Sequence, residues 1–370
     1  MSLLSATAQR STFSRLVETL AIAAVGGSAL GLAGIPAGWL SGSILAVATA
    51  SLAGRPMVMP TLLMQAIYVC IGISLGGVVT PETLHGIATY PLSIAILVVA
   101  MAAISFAGAN YLRLVHGWDT SSAFLAAAPG GLSQVMAMGA EIGADLRAIA
   151  IVQTIRVVIV AVGLPTGLAL LGLVGPAVRR VGGPFSVDML GELAILVTLS
   201  TAVAILAYRT RFPGGLLFGA MVTSALLHGS GLIHAVTPWW VANAAMIALG
   251  AVSGSRFANT PLRLVMNFIA AAFGSFAVAV TLCALFGAIL IGILSLRTAD
   301  VMIAFAPGAV DAMMLLALAL NLDPVYVGAH HLARIFFVSL TMPIVARIAH
   351  RREAPRDAIQ PPPVRPPFQD

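Results

Sequence analysis

The sequence predicts an all-α integral membrane protein made of two homologous repeats in inverted orientation. Each repeat is expected to hold about five transmembrane helices plus one broken or re-entrant hairpin. Three observations carry this reading. First, only 9% of the 370 residues are charged and 59% are hydrophobic, with a mean hydropathy of +1.02, whereas a soluble domain carries about 25% charged residues. Second, long uncharged windows recur, as at 21–54 and 61–80, each able to cross a hydrocarbon core of about 30 Å. Third, the stretch A-P-G-G-L-S-Q-V-M at 128–136 returns as A-P-G-A-V-D-A-M-M at 306–314.

Alternation of period two is absent, so the windows read as helices and not as strands of an outer-membrane barrel. In chain order the expected spans are 16–33, 37–52, 61–79 and 91–114, a broken segment at 119–143, and a span at 146–174. They continue with 191–208, 214–228, 238–257 and 266–294, a second broken segment at 300–321, and a last span at 324–350. Arg10 and Arg15 precede an apolar run that continues through Ala50, so the first span is expected to be retained rather than cleaved as a signal peptide. From Arg351 the chain turns polar and proline-rich, the composition of an extended, disordered tail. The expected units are therefore residues 1–180, 181–350 and the tail 351–370.

The duplication extends well beyond the A-P-G stretch. Residues 128–165 fall without a gap on 306–343, pairing Pro129 with Pro307, Gly130 with Gly308, Met136 with Met314, Asp145 with Asp323, Arg156 with Arg334 and Pro165 with Pro343. Pro36, Gly38, Leu40 and Gly42 likewise match Pro213, Gly215, Leu217 and Gly219, and Gly72 and Gly76 match Gly250 and Gly254. Chance apolar similarity does not align helix breakers and rare charges together.

Orientation depends on the broken segments. If each crosses the membrane, the halves hold six spans and run parallel. If each is a re-entrant hairpin, the halves hold five spans and are inverted. All 19 basic residues are Arg, and their placement favours the second arrangement. With the N-terminus inside and Arg156 and Arg334 set aside as intramembrane, inversion leaves Arg179, Arg180 and Arg297 outside. The parallel arrangement leaves Arg147, Arg209, Arg211, Arg256 and Arg263 there, against the positive-inside rule. The net charge of +6 thus reads as topology and not as a nucleic-acid surface. Both termini are then expected on the cytoplasmic side.

Non-helical backbone at membrane depth is tolerated only when buried in protein or lining a cavity. Pro129 removes an N–H and disturbs the preceding turn, while Gly130 and Gly131 permit a sharp reversal. A new half-helix then starts with its positive dipole end at the break. Matched breaks in two inverted repeats mark the midplane binding site of a transporter; the alternative is a plain kinked helix.

The candidate site follows from these breaks: Pro129, Gly130, Gly131, Ser133, Gln134 and Arg156 from the first repeat, and Pro307, Gly308, Asp311 and Arg334 from the second. Arg156 and Arg334 lie deep within their spans, where each costs about 2.5–3.5 kcal/mol on insertion scales. They fit coordination of an anion by a planar five-donor group, or else a structural pairing with Asp311, Glu141 or a backbone carbonyl. Asp311 replaces Ser133 and Ala312 replaces Gln134; Asp311 suits either a helix cap or a proton or sodium relay. Asp145 and Asp323 precede long helices as N-caps, the latter followed by Pro324. His330 and His331 replace Val152 and Gln153. As helix neighbours they point apart and make a poor metal site, which leaves proton coupling or hydrogen-bonded packing.

Cys70 and Cys283 lie in apolar runs and read as buried thiols. G-I-S-L-G at 72–76 reads as small-residue helix packing rather than a nucleophile elbow. No catalytic residue, cofactor or metal is expected, because no ligand cluster or nucleotide-binding motif is present.

The repeated A-P-G motif, each followed by an Arg-bearing helix that reaches a Pro, resembles the bacterial AbrB-duplication membrane proteins over nearly the whole chain. That family shares its name with a soluble DNA-binding regulator which this sequence does not resemble. The resemblance implies labels of ammonia monooxygenase and regulator of gene expression, but no site residues. The residues themselves lack clustered metal ligands and a basic module for direct DNA contact. The expected function is secondary transport of a small, anionic solute between the two A-P-G breaks, with H+ or Na+ as coupling ion. The alternatives are a membrane-embedded regulator acting indirectly and a membrane monooxygenase. The expected partners are the lipid bilayer, the solute and the coupling ion; a homo-oligomer is compatible with this.

Overall fold

The computed structural model describes residues 2–79, 90–129, 132–175, 187–235 and 237–353. Of the earlier expectations, Gly130 and Gly131 lie outside these residues, as does the tail beyond Glu353. Among the described residues the chain is all-helical. The first half comprises α1 (Ser2–Leu32), α2 (Gly38–Leu52), α3 (Thr61–Gly76), α4 (Tyr90–His116), α5 (Thr120–Ala127), α6 (Leu132–Glu141) and α7 (Leu146–Leu170). The second comprises α8 (Leu190–Arg209), α9 (Gly215–Gly229), α10 (Trp239–Gly254), α11 (Leu262–Ile293), α12 (Thr298–Phe305), α13 (Val310–Ala319) and α14 (Pro324–Glu353).

Five helices are long and apolar enough to cross a membrane: α1 from Thr12, α4, α7, α8 and α11. The spans expected at 61–79 and 238–257 fold shorter, as α3 and α10 of 16 residues each. With α2 and α9, of 15 residues each, they form a short class of helix about 24 Å long. Left-handed backbone bounds two of them. α2 starts from Ala37 in left-handed geometry and is followed by Gly54 at φ 87°; α9 starts from Gly214 at φ 67°.

These four helices pack across the two halves. α3 lies on α9 and α2 lies on α10. A Cβ on Gly72 or Gly76 would collide with the carbonyl oxygens of Leu217 or Met221 on α9. One on Gly250 or Gly254 would press on the Leu40 or Ile44 carbonyl of α2. G-I-S-L-G is therefore a helix-contact motif: the missing side chains let two backbones approach closely.

The remaining contacts are reciprocal in the same way. α1 packs on α2 as α8 does on α9, α5 packs on α7 as α12 does on α14, and α4 meets α14 as α11 meets α7. Burial follows the same register. Ser93, Leu97, Met101, Ser105, Ala109 and Leu112 are buried on α4. The positions 178 residues on, Ala271, Ser275, Ala279, Cys283, Gly287 and Leu290, are buried on α11.

Each broken segment ends beside its own start. The Asp145 N–H, after α6, donates to Ser122 Oγ in the first turn of α5 at 2.8 Å. The Asp323 N–H, after α13, donates to Asp300 Oδ1 in the first turn of α12 at 2.9 Å. Asp145 and Asp323 also cap the helices that follow. Asp145 Oδ1 accepts from the Arg147 and Ala148 N–H groups, and Asp323 Oδ1 from those of Val325 and Tyr326, satisfying N–H groups that lack partners within the helix.

Candidate functional site

The two breaks are built alike. α5 ends at Ala127 and α12 at Phe305, leaving buried carbonyls without helical partners. Arg156, 6% exposed, and Arg334, 1% exposed, supply donors. Arg156 Nη1 donates to Ala127 O at 3.2 Å and Ala126 O at 3.4 Å, and Nη2 to Ala128 O at 3.1 Å. Arg334 Nη1 donates to Ala306 O at 2.8 Å and Gly308 O at 3.4 Å, and Nη2 to Ala304 O at 3.1 Å. Each guanidinium thus clamps the negative end of a half-helix dipole. Of the partners weighed from sequence, backbone carbonyls are the ones engaged. The Nε of both arginines is buried without a partner among the described residues.

Gln153 and His331 extend the clamp. Gln153 Nε2 donates to Leu125 O at 2.8 Å, and His331 Nε2 lies 3.3 Å from Ile303 O, the matching carbonyl. A carbonyl only accepts, so His331 Nε2 carries its hydrogen. Residues that differ in type serve the same backbone position in the two halves.

The halves differ in what the arginines face. A cavity of about 820 Å³ runs from the exposed Arg209 and Arg211 down to Arg156, within the size range of small-molecule sites. Its wall includes Tyr68, Gln153, Arg256, Gly308 and Asp311. Arg334, His330 and His331 are buried away from it. Pro129 is buried at its break, and Pro307 lines a second, apolar cavity of about 430 Å³ between α7, α11 and α12. Of the expected site residues, the first cavity therefore joins Arg156, Gly308 and Asp311. Ser133 and Gln134 lie in the first turn of α6, with side chains outside the described residues.

Three helices begin on the cavity wall: α6 at Leu132, α9 at Gly215 and α13 at Val310. The N-cap residues of the last two make no side-chain cap bond, and the Gly215 N–H donates to Phe212 O at 2.9 Å. Asp311 Oδ1 accepts from the Ala312 N–H in the first turn of α13 at 3.1 Å, which bears out the cap reading in part. Its Oδ2 accepts from Tyr68 Oη at 3.3 Å, across from α3. The cavity thus combines the cations Arg156, Arg209, Arg211 and Arg256 and three positive dipole ends with one carboxylate, a wall suited to negative charge.

Sequence reading missed Tyr68, Gln153, Arg209, Arg211 and Arg256. Gln153 was legible through its register with His331. The three loop arginines carried only a topology signal, because nothing local shows that the ends of α8 and α10 meet beside α13. Among the described residues, no three His, Cys, Asp or Glu side chains converge as a metal-ligand set.

The profile of the family described as "Transition state regulatory protein AbrB" matches residues 39–350. A Bacillus subtilis (strain 168) protein named "Uncharacterized protein YhjN" is 25% identical over 363 residues, covering 90% of this chain and 92% of its own. An Escherichia coli (strain K12) protein named "Putative regulator AbrB" is 25% identical over 323 residues, covering 85% of this chain and 90% of its own.

Proposed function

Because this chain belongs to the AbrB family, as a multi-helical, membrane-type member, we propose that it is a secondary transporter of a small anionic solute. The carrying observation is the 820 Å³ cavity that leads from Arg209 and Arg211 to the buried Arg156 and collects three helix N-termini. Half-helix N-termini facing a site near the bilayer midplane are how broken-helix transporters hold anionic groups. Arg156 and the N-terminal end of α13 form the floor, Arg256 and Tyr68 the walls, and Asp311 the counter-charge.

The topology in this reading is two inverted halves, each of five spans and a re-entrant hairpin. It is supported by the return of each broken segment to its own start, at Ser122–Asp145 and Asp300–Asp323, and by the reciprocal packing of the halves. Inversion brings the first hairpin in from the cytoplasmic side of the inner membrane and the second from the opposite side. Both termini are then cytoplasmic, and the cavity mouth, with Arg209, Arg211 and Arg256, is cytoplasmic as the positive-inside rule requires.

A thermal-shift screen of purified protein in detergent tests this, using phosphate, succinate, citrate and glutamate with Arg156→Gln in parallel. A ligand present at a hundred times its Kd stabilises the folded state by about 2.7 kcal/mol. The expected result is an anion that raises the wild-type melting temperature and not that of the variant. If no anion shifts the wild type, the transport reading fails.

The printed name of the Escherichia coli relative favours a second reading, a membrane-embedded regulator acting on gene expression through a partner. Its contact surface would be the polar tail 351–370. Deleting 354–370 should then abolish regulation while leaving anion-dependent stabilisation intact.

A further inference from the structure

The two halves share their scaffold, but one interior position differs throughout. Where α4 meets α14, a buried polar group fills the contact. Tyr90 Oη donates to Asp323 Oδ2 at 3.3 Å, and Ser93 Oγ lies 2.8 Å from His330 Nε2. The Tyr326 and His330 rings lie tilted with centroids 4.0 Å apart, and the Tyr326 hydroxyl is buried without a hydrogen-bond partner among the described residues. At the matching contact of α11 with α7, 178 residues away in register, stand Phe268, Ala271, Ala148 and Val152 in place of Tyr90, Ser93, Tyr326 and His330. Val152 and Ala271 are core residues there, with Phe268 packed on them. The fold therefore accepts apolar packing at this place. A hydrogen-bonded packing role alone does not account for four polar replacements made together, since apolar groups of similar shape fill such a position at little cost.

The polar group runs from the surface inward. Arg297 and Asn321 are exposed at its outer end, Asp300 and Asp323 are half-buried, and Tyr90, Ser93, Tyr326 and His330 are buried. His330 stands about 10 Å of helix rise beyond Asp323, and Arg334 one turn further. His330 Nδ1 is 2.7 Å from Tyr326 O and so carries its hydrogen. Nε2 is then the exchangeable atom. In the neutral ring it accepts from the Ser93 hydroxyl. In the cation it donates to Ser93 Oγ, whose hydrogen turns to the Tyr90 carbonyl 3.0 Å away. Rotation of one hydroxyl satisfies both states.

We propose that His330 is the proton-binding site that couples solute movement to the proton gradient, reached from the Asp300–Asp323 end along the contact of α4 with α14, where Tyr90 meets Asp323 and Ser93 meets His330. This rests on the transport reading, in which that end faces away from the cytoplasm while the solute cavity opens toward it. One proton adds to Nε2 and later leaves from it, and nothing is oxidised. The titratable and charged groups that bear on the imidazole are Tyr90 from α4, Asp300 from α12, and Asp323, Tyr326, His331 and Arg334 from α14. Cys283 on α11 donates to the Phe305 carbonyl, and Asp311 on α13 is engaged with Tyr68. A second cation beside Arg334 is costly alone. An anion held between the breaks offsets that cost, and the coupling is reciprocal.

The test has two arms. In the first, protein carrying isotope-labelled histidine is titrated in micelles from about pH 8 to about pH 3, a range wide enough for buried as well as free imidazoles. The expected result is one titrating imidazole signal present in the wild type, absent from His330→Gln, and shifted in Ser93→Ala and Tyr90→Phe at unchanged melting temperature. If every titrating signal persists in His330→Gln, the proposal is overturned, whatever the solute. In the second arm, vesicles containing the protein are given the anion found by thermal shift. Counterflow without a pH gradient reads transport alone, so its absence from the wild type sinks the transport reading and leaves proton binding to be decided by the first arm. A gradient of one pH unit drives about tenfold accumulation at one proton per solute. His330→Gln should keep counterflow and lose that tenfold. Retained accumulation overturns the coupling.

Discussion

Replacing Arg334 with methionine should destabilise the protein by about 3 kcal/mol, without any solute present. The side chain is 1% exposed and makes two close bonds, at 2.8 Å to Ala306 O and 3.1 Å to Ala304 O, with a longer one to Gly308 O. A hydrogen bond from a charged donor contributes up to about 3 kcal/mol when its loss leaves the partner unpaired. Two such losses act against the insertion cost of the charge, about 3 kcal/mol, which methionine avoids. The balance stays unfavourable because the acceptors are backbone carbonyls at the end of α12. They cannot be replaced along with the arginine, unlike the side-chain partner of a buried ion pair. The measurement is SDS-induced unfolding in mixed micelles of the wild type, Arg334→Met and Arg334→Lys. Lysine should fall between, since it keeps the charge but not the forked donors. An Arg334→Met protein as stable as the wild type, or more so, would refute the clamp and return Arg334 to a role in binding solute.

Other perturbations address separate links. In a background lacking Cys70 and Cys283, Ser122→Cys with Asp145→Cys should cross-link under mild oxidation, because the Asp145 N–H bonds Ser122 Oγ; a segment that crossed the membrane would hold them about 30 Å apart, and no cross-link would form. Gly76→Val should cost at least about 1–3 kcal/mol by overpacking α3 on α9, seen as a lower unfolding midpoint, and Gly254→Val should do the same to α10 on α2. Asp145→Ala removes two N-terminal hydrogen bonds of α7 and should cost about 1 kcal/mol, with Asp145→Asn close to the wild type.

Much of this architecture is legible without coordinates. Low charge and unbroken apolar windows demand a non-aqueous surface, and that demand is additive over residues, so composition reports it. Pro129 and Pro307 interrupt helices by local sterics and a missing donor, so the two half-helix pairs appear in the sequence as plainly as in the fold. The 178-residue register of the sequence pairs Arg156 with Arg334, and Asp145 and Asp323 read as caps because capping spans only three residues. Only the tertiary arrangement decided the rest. It set Arg156 on a cavity and Arg334 away from it, although the two occupy matched positions in sequence. It brought Arg209, Arg211 and Arg256 onto the wall of one cavity, and it placed Tyr90 and Ser93 against Asp323 and His330 across more than 230 residues of chain. The physical reason is that periodicity records which face of a helix avoids its surroundings, while the identity of the helix opposite depends on long-range packing, here on the glycine contacts between α3 and α9 and between α2 and α10.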